Sequence, residues 1–479
     1  MSKHSTSHRK PPIKSHFAGN RCMQAALTLF SMTITAFNLW AGDKPNFLFI
    51  IADDCTYTDL EIYGGQAKTP HLNRLAKEGM MFSKCFQAAP MCSPTRHCLY
   101  TGIYPVKSGA HPNHTFVKPG TKSIAHYLKA AGYRVALSGK SHINPPASFP
   151  FEYSNAKGKE GGAGNPNMEA LDSLFNKAAQ TTQPVAAFVC SNEPHTPYDK
   201  GNPSAYPIDQ LQLPPHYVDT LETRTEFSKY LAEITYFDKQ VGQCLRLLKK
   251  HGLEKNTLVM VVSEQGNAFP FAKWTCYDKG LQSAMIVRWP GKVKPDSKSN
   301  AMVEYVDVVP TFLQAAGLEF PPHLEGQSFI PVLRGWTKAH KQYSFGLQTT
   351  RGINHGSECY GIRTVRSDRF RYIRNLSAEI SFQNTMMRSD WWKSWQRKAD
   401  NGNDHARQMV LRFQERPKEE LYDSLNDPWN LNNVANQPEF QGQKKQLSAI
   451  LDAWMKDQGD LGQATELSAK ERQWRNRKR

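Results

Sequence analysis

Short, continuous apolar segments that alternate with amphipathic ones constrain the fold of this chain more than any other feature. Segment 46–51 (Asn-Phe-Leu-Phe-Ile-Ile) is apolar almost throughout, which is typical of a strand buried on both faces of a sheet. Similar runs occur at 133–137, 185–189, 258–262 and 284–289. Helical patterns lie between the strands, at 70–78, 123–131 and 225–250. The alternation predicts an α/β fold with a large mixed sheet that helices cover on both faces.

The pattern changes after about residue 335. Segments 362–366 and 369–373 flank a Ser-Asp pair, which predicts a β-hairpin with a short turn, and a helical pattern follows at 441–456. We therefore expect a large α/β domain at 44–335 and a smaller C-terminal α+β domain with an antiparallel sheet at 336–460. Residues 461–479 are rich in basic side chains, and we expect them to form a disordered tail.

Polar side chains follow four of the predicted strands at the points where the strands end. They are Asp53 and Asp54, Lys140 and His142, Glu193 and His195, and Glu264 and Gln265. Because ligands of open α/β sheets bind outside the carboxyl ends of the strands, we expect these side chains to meet at one edge. The oxygen ligands suit a hard cation such as calcium, whereas the lysine and the histidines suit an anion and the proton transfers of its hydrolysis.

Much of the positive charge lies at the two ends of the chain. The formal net charge is +17, with +5 in residues 1–41 and +5 in residues 470–479, which leaves +7 for the body. This basic bias of the body suits an anionic substrate. A short basic end is more typical of a solvated tail than of a nucleic-acid-binding arm, so we expect no nucleic-acid partner.

Residues 1–41 predict an export signal. A basic stretch up to Arg21 precedes a mostly apolar run at 25–40, and Ala41 would precede the cleavage site. The run is short for a membrane span, which needs ~20 residues, although an uncleaved anchor is the alternative. We expect a periplasmic or secreted protein with no stable membrane span once the signal has been removed.

One pentapeptide carries the strongest functional signal. Cys92-Ser93-Pro94-Thr95-Arg96 resembles the signature of formylglycine-dependent sulfatases of the alkaline phosphatase superfamily, in which cysteine stands two residues before proline and four before arginine. The resemblance implies that a separate maturation enzyme converts Cys92 to formylglycine, whose hydrate attacks sulfur. It also implies an alkaline-phosphatase-like fold, in which residues 44–335 form the catalytic domain.

Further segments match this family in the same order along the chain, from residue 44 to about residue 436. They are 45–54, 101–102, 139–142 (Gly-Lys-Ser-His), 194–197 (Pro-His-Thr-Pro), Lys273 with Tyr277 and Gly280, 287–291, Asp307 with 310–311, 326–328, and 420–423 with 427–428. The resemblance therefore covers most of the chain and does not depend on the pentapeptide alone.

The resemblance assigns one calcium ion to a set of five residues. The ligands would be Asp53, Asp54, Glu264, Gln265 and the modified Cys92. The family usually has Asp followed by Asn or His where this chain has Glu264 and Gln265, each longer by one methylene. The backbone must therefore retreat or the ion must shift, although the oxygen chemistry of the ligands is retained.

The resemblance also assigns the catalytic residues. Arg96 would hold the diol, and Lys140 and Lys273 would bind sulfate oxygens. His142 would contact the diol and assist its collapse to the aldehyde. His195 would lie beside the bridging oxygen and protonate the leaving group.

Two other functions are compatible with parts of the pattern. Phosphatases and phosphodiesterases of the same fold commonly carry Ser or Thr at the nucleophile position and often bind two zinc ions, so Cys92 argues against them. A non-catalytic protein that binds sulfated glycans would keep the basic pocket but would not need a nucleophile. Every catalytic residue type is present, which favours a sulfuric ester hydrolase.

The substrate is expected to be a sulfated small molecule or, more specifically, a sulfated saccharide. Export would bring the enzyme to sulfated polysaccharides, and the basic body favours the approach of a polyanion. Segment 269–273 (Phe-Pro-Phe-Ala-Lys) also resembles the heparan N-sulfatase branch more than the arylsulfatases. The predicted activity is removal of O- or N-linked sulfate from such a saccharide.

Overall fold

The structure is a computed structural model, and it describes residues 44–154 and 164–473. The predicted export signal at 1–41 lies outside the described residues. From Lys44 onward the chain forms one compact unit that contains two sheets. The boundary that we place near residue 335 stays a prediction.

The larger sheet is formed by nine strands. They are β1 (Asn46–Ile51), β2 (Met80–Phe86), β3 (Arg134–Gly139), β4 (Glu152–Tyr153), β5 (Val185–Cys190), β6 (Thr257–Val262), β7 (Gln282–Arg288), β8 (Ser297–Ser299) and β9 (Val303–Glu304). Their order is β4-β3-β5-β1-β6-β7-β2-β8, and β9 also pairs with β2. β7 is antiparallel to both of its neighbours, whereas the other pairs are parallel. The predicted mixed sheet is confirmed.

Thirteen α-helices occur in the described part of the chain. They are α1 (Pro70–Lys77), α2 (Cys92–Thr101), α3 (Pro105–Ser108), α4 (Ile124–Ala130), α5 (Met168–Gln180), α6 (Leu221–Lys250), α7 (Asp278–Leu281), α8 (Val308–Ala315), α9 (Ile330–Leu333), α10 (Asp390–Asp400), α11 (Asp404–Gln414), α12 (Gln441–Gln458) and α13 (Gln463–Ser468). None of the helices within 44–154 and 164–473 is long and apolar enough to cross a membrane.

Strand β1 shows why the large sheet must be covered on both faces. Its side chains alternate between two hydrophobic clusters, so that Leu48 and Ile50 belong to one cluster and Phe47 and Phe49 to the other. The first cluster includes the long helix α6, and the second includes α4 and α8. The ring of Phe47 stacks on Phe312 of α8 with centroids 4.6 Å apart. The apolar runs of the sequence therefore correspond to strands with no solvent-facing side.

The smaller sheet lies in the C-terminal part of the chain. Its strands β10 (Ser344–Thr349), β11 (Gly361–Arg366), β12 (Phe370–Asn375) and β13 (Glu419–Asp423) pair in sequence order, and every pair is antiparallel. β11 and β12 form the predicted hairpin, and Leu447 and Leu451 of α12 pack in the same core cluster as β11 and β12. The predicted α+β character of this region is confirmed.

The prediction of a disordered tail at 461–479 is wrong for residues 461–473. Helix α13 lies in this segment, and its Glu466 is fully buried, with a carboxylate oxygen 2.8 Å from the guanidinium of Arg363. The guanidinium of Arg472 donates to the backbone carbonyls of Gly109 and Phe116 at 2.8 and 2.9 Å. These charges are satisfied by the folded protein rather than by solvent, which composition alone does not reveal. Residues 474–479 lie outside the described residues.

Candidate active site

The polar residues that follow β1, β3 and β6 meet at one edge of the large sheet, as predicted. Short backbone hydrogen bonds continue the sheet beyond the strands: the amide of Asp53 donates to Glu193 at 3.0 Å, and that of Lys140 to Cys190 at 3.0 Å. The side chains of Asp53, Lys140, Glu264 and Gln265 are all buried there. Glu193 is an exception, because its carboxylate accepts from Asn165 at 2.7 Å and does not join the cluster.

Cys92 is the first residue of helix α2. Pro94 is tolerated in the first turn because the amides there have no carbonyl partner within the helix. Arg96 lies one turn further along, at the spacing that places two side chains on the same helix face. Cys92 and Arg96 therefore face the same edge, and the positive end of the helix dipole lies next to residue 92. The spacing of the pentapeptide thus has a direct structural basis.

Four residues form an acidic cluster around the helix end. The nearest ligand atoms of Asp53, Asp54, Cys92 and Glu264 all lie within 4.8 Å of one another. Cys92 Sγ is 3.4 Å from Asp53 Oδ1 and 3.9 Å from Asp54 Oδ1. Carboxylate oxygens gathered around one point are the ligands that calcium prefers. The donor set therefore fits the calcium ion that the resemblance implies.

Gln265 is placed to complete the same ligand set. Its Nε2 donates to Asp54 Oδ1 at 2.6 Å and lies 3.0 Å from Cys92 Sγ. Its Oε1 is buried and has no hydrogen-bond partner among the described residues. Rotation of the amide by half a turn would direct this unpartnered oxygen toward the cluster. The longer side chain therefore still reaches the site.

Glu264 also reaches the site, and it is paired there with a buried arginine. Its Oε1 is 2.7 Å from Nε of Arg96, and neither carboxylate oxygen takes part in a well-aligned hydrogen bond within the described residues. Arg96 is fully buried, and its Nη1 donates to the carbonyl of Lys140 at 2.8 Å. Arg96 thus joins the helix end, the acidic cluster and the segment after β3.

Two buried lysines balance the aspartates. Lys140 pairs with Asp53, and Lys273 pairs with Asp54. Burial opposes ionisation of Asp53, but Lys140, with smaller contributions from Glu264, His195 and Arg96, holds the pKa of this carboxyl well below its ordinary value. Burial also favours the neutral form of Lys140, yet the carboxylate of Asp53 raises its pKa above the ordinary value. Asp54 likewise raises the pKa of Lys273 against the effect of burial, so both ammonium groups carry their charge and are held by the aspartates.

His195 lies at the mouth of the site and His142 lies deeper. Nε2 of His195 is 3.5 Å from Asp54 Oδ2, and its Nδ1 is 2.7 Å from the carbonyl of Thr196. Burial and then Lys273 lower the pKa of His195 to about 4. Burial and then Lys140 hold the pKa of His142 well below its ordinary value. Both rings are neutral near pH 7, so each can accept a proton at one nitrogen and donate from the other.

His114 is a site residue that the sequence analysis missed. Its Nδ1 is 3.0 Å from Nε2 of His142. It follows no strand, so position at a strand end could not have identified it, although its recurrence three residues after His111 is a weak signal. Asp54, His114 and His142 all have positive φ angles, near 55°, which non-glycine residues adopt rarely. Such backbone conformations cluster at functional sites, and Asp54 lies with its Oδ1 3.9 Å from Cys92 Sγ.

Comparison with known proteins decides the family. The sulfatase family model matches residues 45–318, which is more than half of the chain. The chain belongs to the sulfatase family. A second model, the C-terminal domain of N-sulphoglucosamine sulphohydrolase, matches residues 266–384 of this sulfatase. The prediction of a sulfatase near the heparan N-sulfatase branch is confirmed, and the enzyme is a sulfuric ester hydrolase.

Characterised relatives match this sulfatase over most of their length. An ulvan-active sulfatase of Formosa agariphila is 33% identical over 428 residues, which cover 88% of this chain and 82% of the relative. The N-sulphoglucosamine sulphohydrolase of Homo sapiens is 27% identical over 461 residues, covering 85% of this chain and 89% of the relative. These relatives act on different sugars, to judge by their names, so they support sulfate ester hydrolysis but not one substrate.

Solved structures with the same fold agree with the architecture of this sulfatase. A protein in complex with its substrate D-glucosamine-2-N,6-O-disulfate has a TM-score of 0.68 at 19% identity, covering 88% of this chain and 99% of that one. A protein in complex with a neocarrahexaose has a TM-score of 0.64 at 20% identity, covering 87% and 94%. The alkaline-phosphatase-like fold is therefore confirmed.

Proposed function

We propose that this sulfatase removes sulfate from a sulfated saccharide outside the cytoplasm, using a formylglycine made from Cys92 and one calcium ion. The observation that carries the proposal is the position of Cys92. It lies at the amino end of α2. Its Sγ is within 3.9 Å of a carboxylate oxygen of each aspartate, Asp53 and Asp54, and 3.8 Å from the ammonium nitrogen of Lys140. A nucleophile at this point faces a cation site and two anion-binding lysines at once.

Asp53, Asp54, Glu264, Gln265 and residue 92 would hold the calcium ion. When bound, calcium would offset the negative charge of the sulfate group and of the nucleophile. Lys140 and Lys273 pair with the two aspartates in the structure. An ion between the carboxylates would compete for these contacts and leave the ammonium groups to bind sulfate oxygens. The calcium ligands Asp53 and Asp54 are thus direct neighbours of the sulfate-binding lysines and form ion pairs with them.

The thiol of Cys92 is itself poorly suited to the reaction. Burial, and then the carboxylate of Asp53, raise the pKa of this thiol well above its ordinary value, so little thiolate forms near pH 7. Conversion to formylglycine would supply a hydrated aldehyde, which has two hydroxyl groups, as the nucleophile. We infer that the protein depends on a maturation enzyme that recognises the Cys-Ser-Pro-Thr-Arg segment before α2 folds, because the folded segment is buried.

The two histidines would divide the proton transfers. His195 is partly exposed and lies against Asp54, where it can protonate the oxygen or nitrogen of the departing sugar. His142, two residues after Lys140, would accept a proton at a ring nitrogen when sulfate is released. Arg96, which is fixed by Glu264 and the Lys140 carbonyl, would orient residue 92 and bind its charge.

Several observations support a saccharide that occurs outside the cytoplasm. Relatives are named for ulvan and for N-sulphoglucosamine, and a protein of the same fold binds a disulfated glucosamine. The sequence begins with a segment typical of export signals, and the body carries a net charge of +7. A sulfated sugar with either O- or N-linked sulfate is therefore the proposed substrate class.

A substrate comparison with matched leaving groups tests this proposal. The panel is N-sulfated glucosamine, 6-O-sulfated glucosamine, an aryl sulfate and the aryl phosphate with the same leaving group. We expect turnover of at least one sulfated sugar with a kcat/KM above that of the aryl sulfate, and no significant phosphate hydrolysis. Preference for the aryl phosphate would refute the sulfatase mechanism, whereas preference for the aryl sulfate would refute only the saccharide.

A further inference from the structure

A basic groove lies far from the proposed catalytic residues. Helix α1, the end of α6 and the segment after β7 enclose a cavity of about 580 Å³. Arg288 ends β7 and Met80 begins β2, so the groove lies at the amino-terminal edge of the parallel strands. Asp53 lies at the opposite edge, and six-residue strands separate the two edges by about 20 Å. The groove is therefore distinct from the active site.

The charge of the groove is strongly positive. Its carboxylates are those of Glu78 and Glu254. Its cationic side chains are five: Arg74, Lys77, Arg246, Lys249 and Arg288. Glu78 is already engaged by Arg74 at 2.7 Å and by Arg288 at 3.3 Å. Within the described residues, Lys77, Arg246 and Lys249 take part in no ion pair. Uncompensated cations in a concave surface favour an anionic ligand.

The aromatic and apolar side chains that line the groove also indicate which class of anionic ligand it can bind. Apart from the imidazole of His71, no aromatic side chain lines the groove, so successive nucleic-acid bases would have no stacking platform. Its apolar components are small, mainly Leu245, Val293 and prolines, and offer no broad surface for an acyl chain. Several cations along one groove instead suit the repeated sulfate groups of a sulfated polysaccharide.

We propose that this groove is a second, non-catalytic binding site for a sulfated polysaccharide. This inference rests on the proposed function, because it assigns the same class of ligand to both sites. Segments of the polymer bound in the groove keep the enzyme on the substrate and raise the effective concentration of other segments at the active site. The groove therefore affects polymeric substrates and leaves small ones unaffected.

The experiment compares a groove variant with a charge-matched control. The groove variant carries Lys77→Gln, Arg246→Gln and Lys249→Gln; the control carries Lys418→Gln, Lys445→Gln and Lys456→Gln, three exposed lysines of the C-terminal region. Cys92→Ala is added to the groove variant and to the control variant so that no substrate is turned over. Binding of dextran sulfate, of dextran and of phosphatidylglycerol vesicles is then measured for each. We expect the groove variant to raise the Kd for dextran sulfate by about tenfold at 0.15 M salt, and the control to change it far less.

Three outcomes would overturn the groove proposal. They are equal loss of dextran sulfate binding in the two variants, no loss in either, and loss confined to the lipid vesicles. In parallel, the groove variant and the control variant are prepared with native Cys92, and their turnover of a small sulfated sugar is measured. Both should match the wild type. Absence of that turnover in the wild-type protein refutes the proposed function, whereas the binding result still decides the groove.

A different observation concerns the pair of histidines near Lys140, His142 and His114. Nε2 of His142 and Nδ1 of His114 are 3.0 Å apart, so one ring donates a proton to the other. Nδ1 of His142 is buried and has no hydrogen-bond partner among the described residues. If His114 donated, the remaining proton of a neutral His142 would lie on Nδ1 as a buried donor without an acceptor, which is costly. If His142 donates, Nδ1 carries a lone pair.

We infer that His114 is a positioning residue that accepts from Nε2 of His142 and thereby leaves Nδ1 of His142 free to accept a proton. The inference deepens the proposed function, in which His142 takes a proton as sulfate is released. A buried acceptor that fixes the tautomer of a neighbouring imidazole is a common way to prepare a general base. Both histidines have a left-handed backbone with φ of 54°, a conformation that non-glycine residues keep only where the surrounding structure imposes it.

Two substitutions at position 114 separate positioning from a purely structural role. Asn places an amide oxygen near the position of Nδ1 and tolerates a positive φ angle, whereas Ala removes the acceptor. We expect His114→Ala to lower kcat by about 10- to 100-fold with little change in KM, and His114→Asn to recover most of the loss. Nitrogen-15 NMR of the wild type should show the His142 proton on Nε2.

The inference fails if Ala and Asn lower kcat equally, if neither lowers it, or if the proton of His142 is found on Nδ1. The NMR measurement does not depend on turnover. An inactive wild-type protein therefore refutes the proposed function while leaving the His114 inference open to this direct reading of the tautomer.

Discussion

At the scale of single residues, Cys92 occupies a position that favours a nucleophile but suppresses its own thiol. The helix dipole of α2 and two lysines stabilise negative charge there, whereas burial and Asp53 keep the thiol protonated. The site is therefore organised for a group other than a thiolate. Under the proposed mechanism, Cys92 at the start of α2 would be modified before the enzyme turns over.

Removal of the side chain at position 92 should abolish turnover without unfolding the protein. We expect Cys92→Ala to lower kcat on a sulfated substrate by at least about a thousandfold, since the nucleophile is lost. Cys98→Ala is the matched control, because Cys98 is a buried cysteine on the same helix that packs in the C-terminal core cluster. Steady-state kinetics would contradict the account if the two variants retained similar activity.

The acidic cluster predicts that calcium stabilises the folded protein. At a calcium concentration of 100 times Kd, binding should add about 2.7 kcal/mol to the free energy of unfolding, which a thermal melt detects as a rise in Tm. Asp54→Asn should lose most of this rise, because Asn keeps the shape and the positive φ angle but removes a charge. Asp209→Asn, on an exposed loop, should keep it. An unchanged calcium response in Asp54→Asn would disprove the assignment.

At the scale of elements, the active site depends on loops that other elements hold in place. Glu233 of α6 accepts backbone N–H groups of Asp199 and Lys200, at 2.6 and 2.9 Å, in the loop that carries His195. The C-terminal helix α13 inserts Glu466 beside Arg363 of β11. These contacts join segments that are far apart in sequence, so their loss should affect stability before chemistry.

Glu233 predicts a pH dependence of stability. Burial raises the pKa of Glu233 to about 8, with the carboxyl of Glu193 adding to the effect despite the two amide donors. Between its ordinary pKa and 8, the unfolded state is ionised while the folded state keeps the proton, so folded stability falls as pH rises through this window. Glu233→Gln removes this loss, which is at most about 1.4 kcal/mol per pH unit.

Urea unfolding of wild type and Glu233→Gln at pH 5, 6.5 and 8 checks this prediction. The difference in free energy of unfolding should grow in favour of the variant as pH rises. Glu226→Gln lies on the same helix and is partly exposed, so it should show no comparable trend. A constant difference between wild type and Glu233→Gln across the range would contradict the prediction.

The ordered C-terminal segment predicts a large effect from one distant glutamate. Glu466→Gln leaves Arg363 buried with only Asp460 as a charged partner, and we expect a loss of about 3 kcal/mol in the free energy of unfolding. Glu471→Gln, which changes an exposed glutamate five residues later, should change stability by less than about 0.5 kcal/mol. Similar unfolding curves for the two variants would mean that the segment contributes little to the fold.

At the scale of the whole molecule, the sequence predicted the strands that are buried on both faces and the residues that follow them. It missed β2, because Ser83 and Lys84 interrupt the apolar pattern, and it missed helix α2, because Pro94 in the first turn is equally compatible with a loop. His114 and Glu466 were missed because their roles depend on contacts between distant segments. Local pattern therefore predicts the frame of the site but not the residues that support it.

The dependence of activity on formylglycine at residue 92 can be measured by comparing the specific activity with the fraction of residue 92 that has been converted. The protein is produced with different amounts of maturation enzyme, and peptide mass spectrometry determines the converted fraction in each preparation. The account predicts that activity on a sulfated sugar rises in proportion to this fraction and is absent without conversion. Full activity in a preparation that contains only unmodified Cys92 would contradict it.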